Sequence, residues 1–267
     1  RAPLPSIGLD GAAPAHRGVG AGRTGARFAP SSTMSKKVHE PLALTGTSTA
    51  IQSVRMALDS LAPTATSLLL CGEPGSGKLQ CAAALHQRYT AGATPFSVLP
   101  LAGLAEPDVA HRLSFFISTR RLASAASVGT VYLEAIETLP LRLQPRLAHA
   151  LARPNPRRWR IIAGTALALE GEVRLERFSP MLHRRLAVLQ IRLPALRDRR
   201  EDIPAIVRLC LRRWGQRSSA PPRTFSAAAM ETMVGYDWPG NLPELERAVE
   251  AACATATTPL IGAERVR

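Results

Sequence analysis

Apolar positions along the chain follow two patterns in turn, and the change from one to the other divides it. Between residues 42 and 193, short apolar runs alternate with stretches that carry an apolar stripe at helical spacing. Ser67-Leu-Leu-Leu-Cys71, Phe96 to Leu101, Gly129-Thr-Val-Tyr-Leu133, Trp159-Arg-Ile-Ile-Ala163 and Val188-Leu-Gln-Ile-Arg-Leu193 each read as a short buried strand. Between them, helices are predicted over Ala50 to Leu61 (apolar at Ile51, Val54, Leu58 and Leu61), Leu79 to Tyr89, Val109 to Ile117 and Leu141 to Leu151. Strands alternating with helices predict an α/β fold, a parallel five-stranded sheet covered by helices on both faces. From Arg197 onward the strand runs stop. Stripes at Ile203 to Trp214, Ala227 to Val234 and Leu242 to Cys253 predict a second, smaller α-helical domain. The expected organisation is a basic tail over 1–40, an α/β domain over 41–195 and a helical lid over 196–267.

The first 33 residues hold one acid, Asp10, among Gly, Ala, Pro and Arg, without helical or strand period, so they are expected to be disordered. Met34-Ser-Lys-Lys reads as an ordinary beginning. Residues before it are then expected to lie upstream of the natural start; a transit peptide fits less well, because no amphipathic stripe is present.

The first strand runs into Gly72-Glu-Pro-Gly-Ser-Gly-Lys78 and a helix follows at once. That order is the pattern of a phosphate-binding loop. Gly72, Gly75 and Gly77 permit the dihedrals that aim successive N–H groups at an anion, Lys78 adds a point charge, and the helix adds its positive end. Gly72, Glu73, Pro74, Gly75, Ser76, Gly77, Lys78 and Leu79 are therefore the candidate nucleotide site. The full pattern has Ser or Thr after the lysine to hold magnesium, and Leu79 stands there. A glycine-rich surface turn is the alternative, but strand, spacing and helix agree on the loop.

Composition bounds the rest. A chain of 267 residues that is 46% hydrophobic can bury a core, and no apolar run approaches the roughly 20 residues a spanning helix needs. Cys71, Cys81, Cys210 and Cys253 have no CxxC spacing or histidine companions and read as buried apolar groups in a reducing, cytoplasmic compartment. His86 and His183 also lack ligand spacing. The net charge of +14, from 34 Lys and Arg against 20 acids, favours contact with polyanions. The basic runs Arg197, Arg199, Arg200 and Arg208, Arg212, Arg213, Arg217 could line a nucleic-acid surface, but on helices such runs are more often solvated faces. Arg153, Arg157, Arg158 and Arg160 around Trp159 suggest single-strand stacking, though a tryptophan opening a strand is more often core. A phosphate loop needs an acid at the end of a neighbouring strand to hold Mg2+. Glu134, ending Val131-Tyr-Leu-Glu134, is that candidate, the alternative being an exposed strand-end acid. Ala135 follows it where a water-activating carboxylate is expected.

Five segments together resemble the AAA+ ATPase domain of bacterial enhancer-binding proteins, the activators of sigma-54 RNA polymerase. They are Leu44-Thr-Gly-Thr-Ser-Thr-Ala-Ile-Gln52, the loop Gly72 to Lys78, Gly129-Thr-Val-Tyr-Leu-Glu-Ala-Ile-Glu-Thr-Leu-Pro140, Leu193-Pro-Ala-Leu-Arg-Asp-Arg-Arg-Glu-Asp-Ile203 and Tyr236-Asp-Trp-Pro-Gly-Asn-Leu-Pro-Glu-Leu-Glu246. The resemblance implies a P-loop AAA+ fold with a helical lid and binding of ATP or ADP with Mg2+. It adds Leu44 and Gly46, which pass the adenine, to the cofactor-binding set. It implies a homo- or hetero-oligomeric ring, and catalytic roles for Glu134 (through Mg2+) and for Arg185, which reaches a neighbouring subunit's nucleotide.

The resemblance also marks four departures. Ala135 replaces the Walker B glutamate, Ala166 the γ-phosphate-sensing asparagine, Ser179 one of two arginine fingers and Pro243 the lid arginine. No GAFTGA sequence, the family's polymerase-contacting loop, occurs between Ala105 and Val128; only Arg153 to Arg158 remain of a second pore loop. No helix-turn-helix is expected after the lid and no receiver domain before the core. The expectation is a degenerate ATP-binding regulator of transcription with impaired hydrolysis, doubtful contact with sigma-54 polymerase and weak non-specific nucleic-acid binding. The alternatives are a slow genuine ATPase using Glu134 and Arg185, and a regulator that binds nucleic acid through its basic surface.

Overall fold

The computed structural model describes residues 41–64, 66–90, 94–122, 129–152, 160–218 and 221–265. The basic tail, the start at Met34 and the Arg153 to Trp159 segment lie outside them. A short 3-10 turn at Leu42–Leu44 leads into α1 (Thr49–Leu61), whose N-cap Ser48 accepts from the Ile51 N–H. There follow β1 (Leu68–Cys71), α2 (Lys78–Thr90), β2 (Phe96–Pro100), α3 (Glu106–Leu122), β3 (Thr130–Glu134), α4 (Gln144–Ala152), β4 (Arg160–Thr165), α5 (Leu169–Arg174), α6 (Pro180–Leu186) and β5 (Leu189–Arg192). The helical part contains α7 (Ile203–Ser218), α8 (Ala227–Gly235) and α9 (Asn241–Thr255).

The five strands form one parallel sheet in the order β2-β3-β4-β1-β5, with β1 at its heart between β4 and β5. Alternate residues of β1, β3 and β4 feed separate cores, as the pleat requires. Leu68, Leu70, Tyr132 and Ile162 face a cluster shared with α1, α2 and the lid helices; Leu69, Val131, Leu133, Ile161 and Ala163 face a second shared with α3, α4 and α6. This is the parallel sheet covered on both faces that the apolar runs predict. A methyl group at Gly164 in β4 would lie 2.1 Å from the Tyr132 hydroxyl, so the buried ring would have to shift to admit one.

Three features depart from the sequence expectation. Helix α3 runs well past both ends of its predicted span, since Glu106 and Asp108 suit a helix's first turn without extending the apolar stripe. Helix α5 has no counterpart in the sequence reading, and α6 only a helix-like segment around His183; six and seven residues are too few to show a period, although Ser179 before Pro180 is a start signal for α6. Strands also do not stop at Arg197: Thr224–Phe225 and Leu260–Ile261 pair in parallel as β6 and β7, two residues each. No helix among the described residues is long and apolar enough to cross a membrane. The four cysteines are free, and burial pushes the Cys81 and Cys210 thiols up to about 12.

Candidate phosphate-loop site

The turn between β1 and α2 lies beside the carboxyl ends of the strands. Its first N–H, at Gly72, donates to the Thr165 carbonyl at the end of β4 (3.1 Å), which ties the loop to the neighbouring strand. Gly75 and Gly77 take φ of 76° and 97°, conformations that side chains resist. Space gives a second reason for both glycines. A methyl group at Gly75 would lie 2.4 Å from the Gly240 carbonyl, and one at Gly77 would lie 2.3 Å from Ala43 Cβ. Ser76 is 1% exposed and its buried hydroxyl has no hydrogen-bond partner among the described residues. Lys78 Nζ donates to the carbonyls of Gly72 (2.6 Å) and Glu73 (2.9 Å). Burial lowers its pKa, while the charges of Glu137 and then Glu134 oppose that shift. Leu79 packs against the core and offers no oxygen.

The lid closes over this loop through contacts that spacing did not reveal. Asn241 opens α9 with φ of 54° and is fully buried. Its Nδ2 donates to the Pro74 carbonyl (3.0 Å) and Glu73 Oε2 (3.2 Å), and its Oδ1 accepts from the Leu196 N–H (2.8 Å). The Glu73 carboxylate also takes both arms of the Arg197 guanidinium. Arg197 and Asn241 together hold Glu73 well below the usual carboxylate range, at about 2. The reading of the basic runs as solvated faces needs correcting at Arg199. Arg199 is 2% exposed and donates to the Ala43 carbonyl (2.8 Å), and Arg200 and Arg217 pair with Asp237 and Glu250; Arg208 and Arg212 are exposed.

Glu134 ends β3, half-buried beside the loop. Ala135 then turns left-handed, with φ of 55°, into a 3-10 turn at Ile136–Thr138. That turn carries Glu137 back across the sheet ends, where its Oε1 accepts from the Ala166 N–H (3.0 Å). Glu137 lies in the stretch Gly129 to Pro140, yet nothing in its spacing gives it a role. The remaining candidates are spread more widely. Leu44 is buried in the core beside the loop, and Gly46, at φ of 127°, abuts the Asp202 carboxylate. Asp202 binds the N–H groups of Thr47 and Ser48 at the start of α1. Arg185 is exposed on α6; Ser179 caps that helix, and its N–H donates to Gln144 Oε1 (2.6 Å). Pro243 Cδ would lie 2.9 Å from a methyl group at Gly75.

The family model described as the sigma-54 interaction domain matches residues 45–196, and the AAA+ ATPase lid domain matches 197–267. The chain belongs to the sigma-54 interaction domain family. It is 32% identical over 233 residues to the transcriptional regulatory protein ZraR of Escherichia coli K12, covering 80% of this chain and 53% of that one. The crystal structure of NtrX from Brucella abortus in complex with ATP superposes with a TM-score of 0.72 at 27% identity, over 83% of this chain and 56% of that one. NtrX in complex with ADP gives the same TM-score at 25% identity, over 85% and 55%. The chain thus spans about half the length of the curated relatives it matches.

Proposed function

We propose that residues 41–195 and 196–267 are the core and lid of a nucleotide-dependent regulatory module of transcription. The module binds ATP or ADP on Gly72 to Lys78, with Leu44 and Gly46 towards the base, and hydrolyses ATP poorly. The observation that carries this reading is the loop itself: two glycines in left-handed conformations, a buried hydroxyl and a lysine converge at the strand ends. The NtrX structures, solved with ATP and with ADP, support it. Glu134 suits one Mg2+ ligand, since this ion takes one or two carboxylates together with substrate phosphates and water. It would supply charge stabilisation at those phosphates.

Poor hydrolysis is inferred from what stands at four positions. The Ala135, Ala166 and Pro243 side chains carry no group able to orient water or to place positive charge at the γ-phosphate, and the uncharged Ser179 hydroxyl caps α6. Arg185, exposed on α6, suits a contact with the nucleotide of a neighbouring subunit in a homo- or hetero-oligomeric ring. Residues 105–128 lack the GAFTGA sequence, so the module is not expected to contact sigma-54 polymerase. The relatives being transcriptional regulators, the cytoplasm is its place of action. Calorimetric titration with ATP and ADP, followed by phosphate release on the same sample, tests the reading. Binding with turnover well under the roughly 1–10³ s⁻¹ of typical enzymes is expected; turnover inside that range would contradict the second half.

A further inference from the structure

Glu137 is an acid for which the resemblance implies no role. The left-handed Ala135 and the buried Ile136 fix the turn that carries it, and the Ala166 N–H holds its Oε1 at 3.0 Å. Its Oε2 is buried and has no hydrogen-bond partner among the described residues. A structural clasp would use one oxygen. An acceptor withdrawn from water and given no donor is an arrangement that a bound donor would complete. The residue before Ala166, Thr165, accepts from the Gly72 N–H of the phosphate loop, which sets the clasp beside that loop, and the charge of Glu137 acts on the Lys78 ammonium. The two positions that it bridges, beside Ala135 and at Ala166, are those from which water and γ-phosphate would be addressed.

We propose that Glu137 is the general base of this site, doing from the following turn what the residue at Ala135 cannot. The inference rests on the nucleotide-binding reading above. Glu137 Oε2 takes the proton of a water whose oxygen bonds to the γ-phosphorus of ATP. The β–γ P–O bond breaks, its electron pair leaves with ADP, and the proton passes from Glu137 to solvent. Glu134 stays free for Mg2+, so the two acids divide the work.

The test is single-turnover phosphate release and ATP affinity on the full chain, comparing wild type, Glu137→Gln and Glu137→Ala. The glutamine keeps an oxygen for the Ala166 N–H but cannot take the proton. It should bind ATP within about twofold of wild type, melt at the same temperature and release phosphate at least about 10²-fold more slowly. Alanine should lose the release as well and lower Tm by roughly 2–4 °C, because the clasp goes too. Release from Glu137→Gln at the wild-type rate would overturn the proposal. Wild type that binds ATP but releases no phosphate would do the same, leaving the binding reading intact. Failure of wild type to bind ATP at all would defeat both.

Discussion

Gly75 and Gly77 show how much a single position can carry. Each needs a left-handed backbone and also room, Gly75 against the Gly240 carbonyl and Gly77 against Ala43. Gly75→Ala should therefore destabilise the protein by more than the roughly 1–2 kcal/mol of the conformation alone. Urea unfolding would show it, and an unchanged midpoint would mean that the lid does not press on the loop. His86 makes a second residue-scale case. It is 5% exposed, with Nδ1 on Thr130 Oγ1 (2.9 Å) and Nε2 on the Thr94 carbonyl (3.0 Å), and burial lowers its pKa. Below its ordinary value of about 6.5 the unfolded chain takes up a proton that the folded chain resists, so stability falls as pH drops from 7 to 5. Replacing His86 by Gln should flatten that part of the Tm profile; an equally steep profile would place the titrating group elsewhere. The glycines were legible in the sequence because their need is local. Glu137 and His86 were not, since their partners lie 29 and 44 residues away.

Between elements, the tie from the loop to α9 depends chiefly on Asn241. Its side chain is fully buried and serves three partners, among them the Leu196 N–H. Asn241→Ala leaves that donor without its acceptor and should cost about 1–3 kcal/mol, read by urea unfolding. The Glu73–Arg197 pair next to it is substantially exposed, so breaking it with Glu73→Gln should cost at most about 1 kcal/mol. Comparable losses from the two substitutions would put the weight of the tie in the wrong contact. Glu73 has its carboxyl pKa held down to about 2, so its share is present above its ordinary value near 4.5 and is lost as pH falls from there toward 2. Strands, the long helices and the loop could be read from periodicity because each buries a repeating face. Arg197 and Arg199 could not: one pairs with Glu73 and the other is buried against Ala43, contacts bridging 124 and 156 residues that a run of like charges hides.

At the scale of the molecule, the sheet sets β1 between β4 and β5 and so gathers the loop, Glu134, Glu137 and Ala166 at one end. The lid helices share a core cluster with the sheet, which lets Asn241 reach Pro74. Charge tells a weaker story. The net +14 includes Arg197, Arg200 and Arg217, each engaged by an acid of its own chain, and Arg199, which is buried. Binding to duplex DNA should thus be weak, independent of sequence and lost by about 10³-fold or more between 50 and 200 mM salt if six or more phosphates are contacted. A sequence-specific complex at physiological ionic strength in a gel-shift assay would contradict this. Nucleotide binding on the loop is read by titrating ATP into wild type and Lys78→Ala. Loss of a charge-assisted contact worth about 1.5–3 kcal/mol should weaken binding tenfold or more in the variant. Equal affinity in the two proteins would show that nucleotide does not bind on this loop.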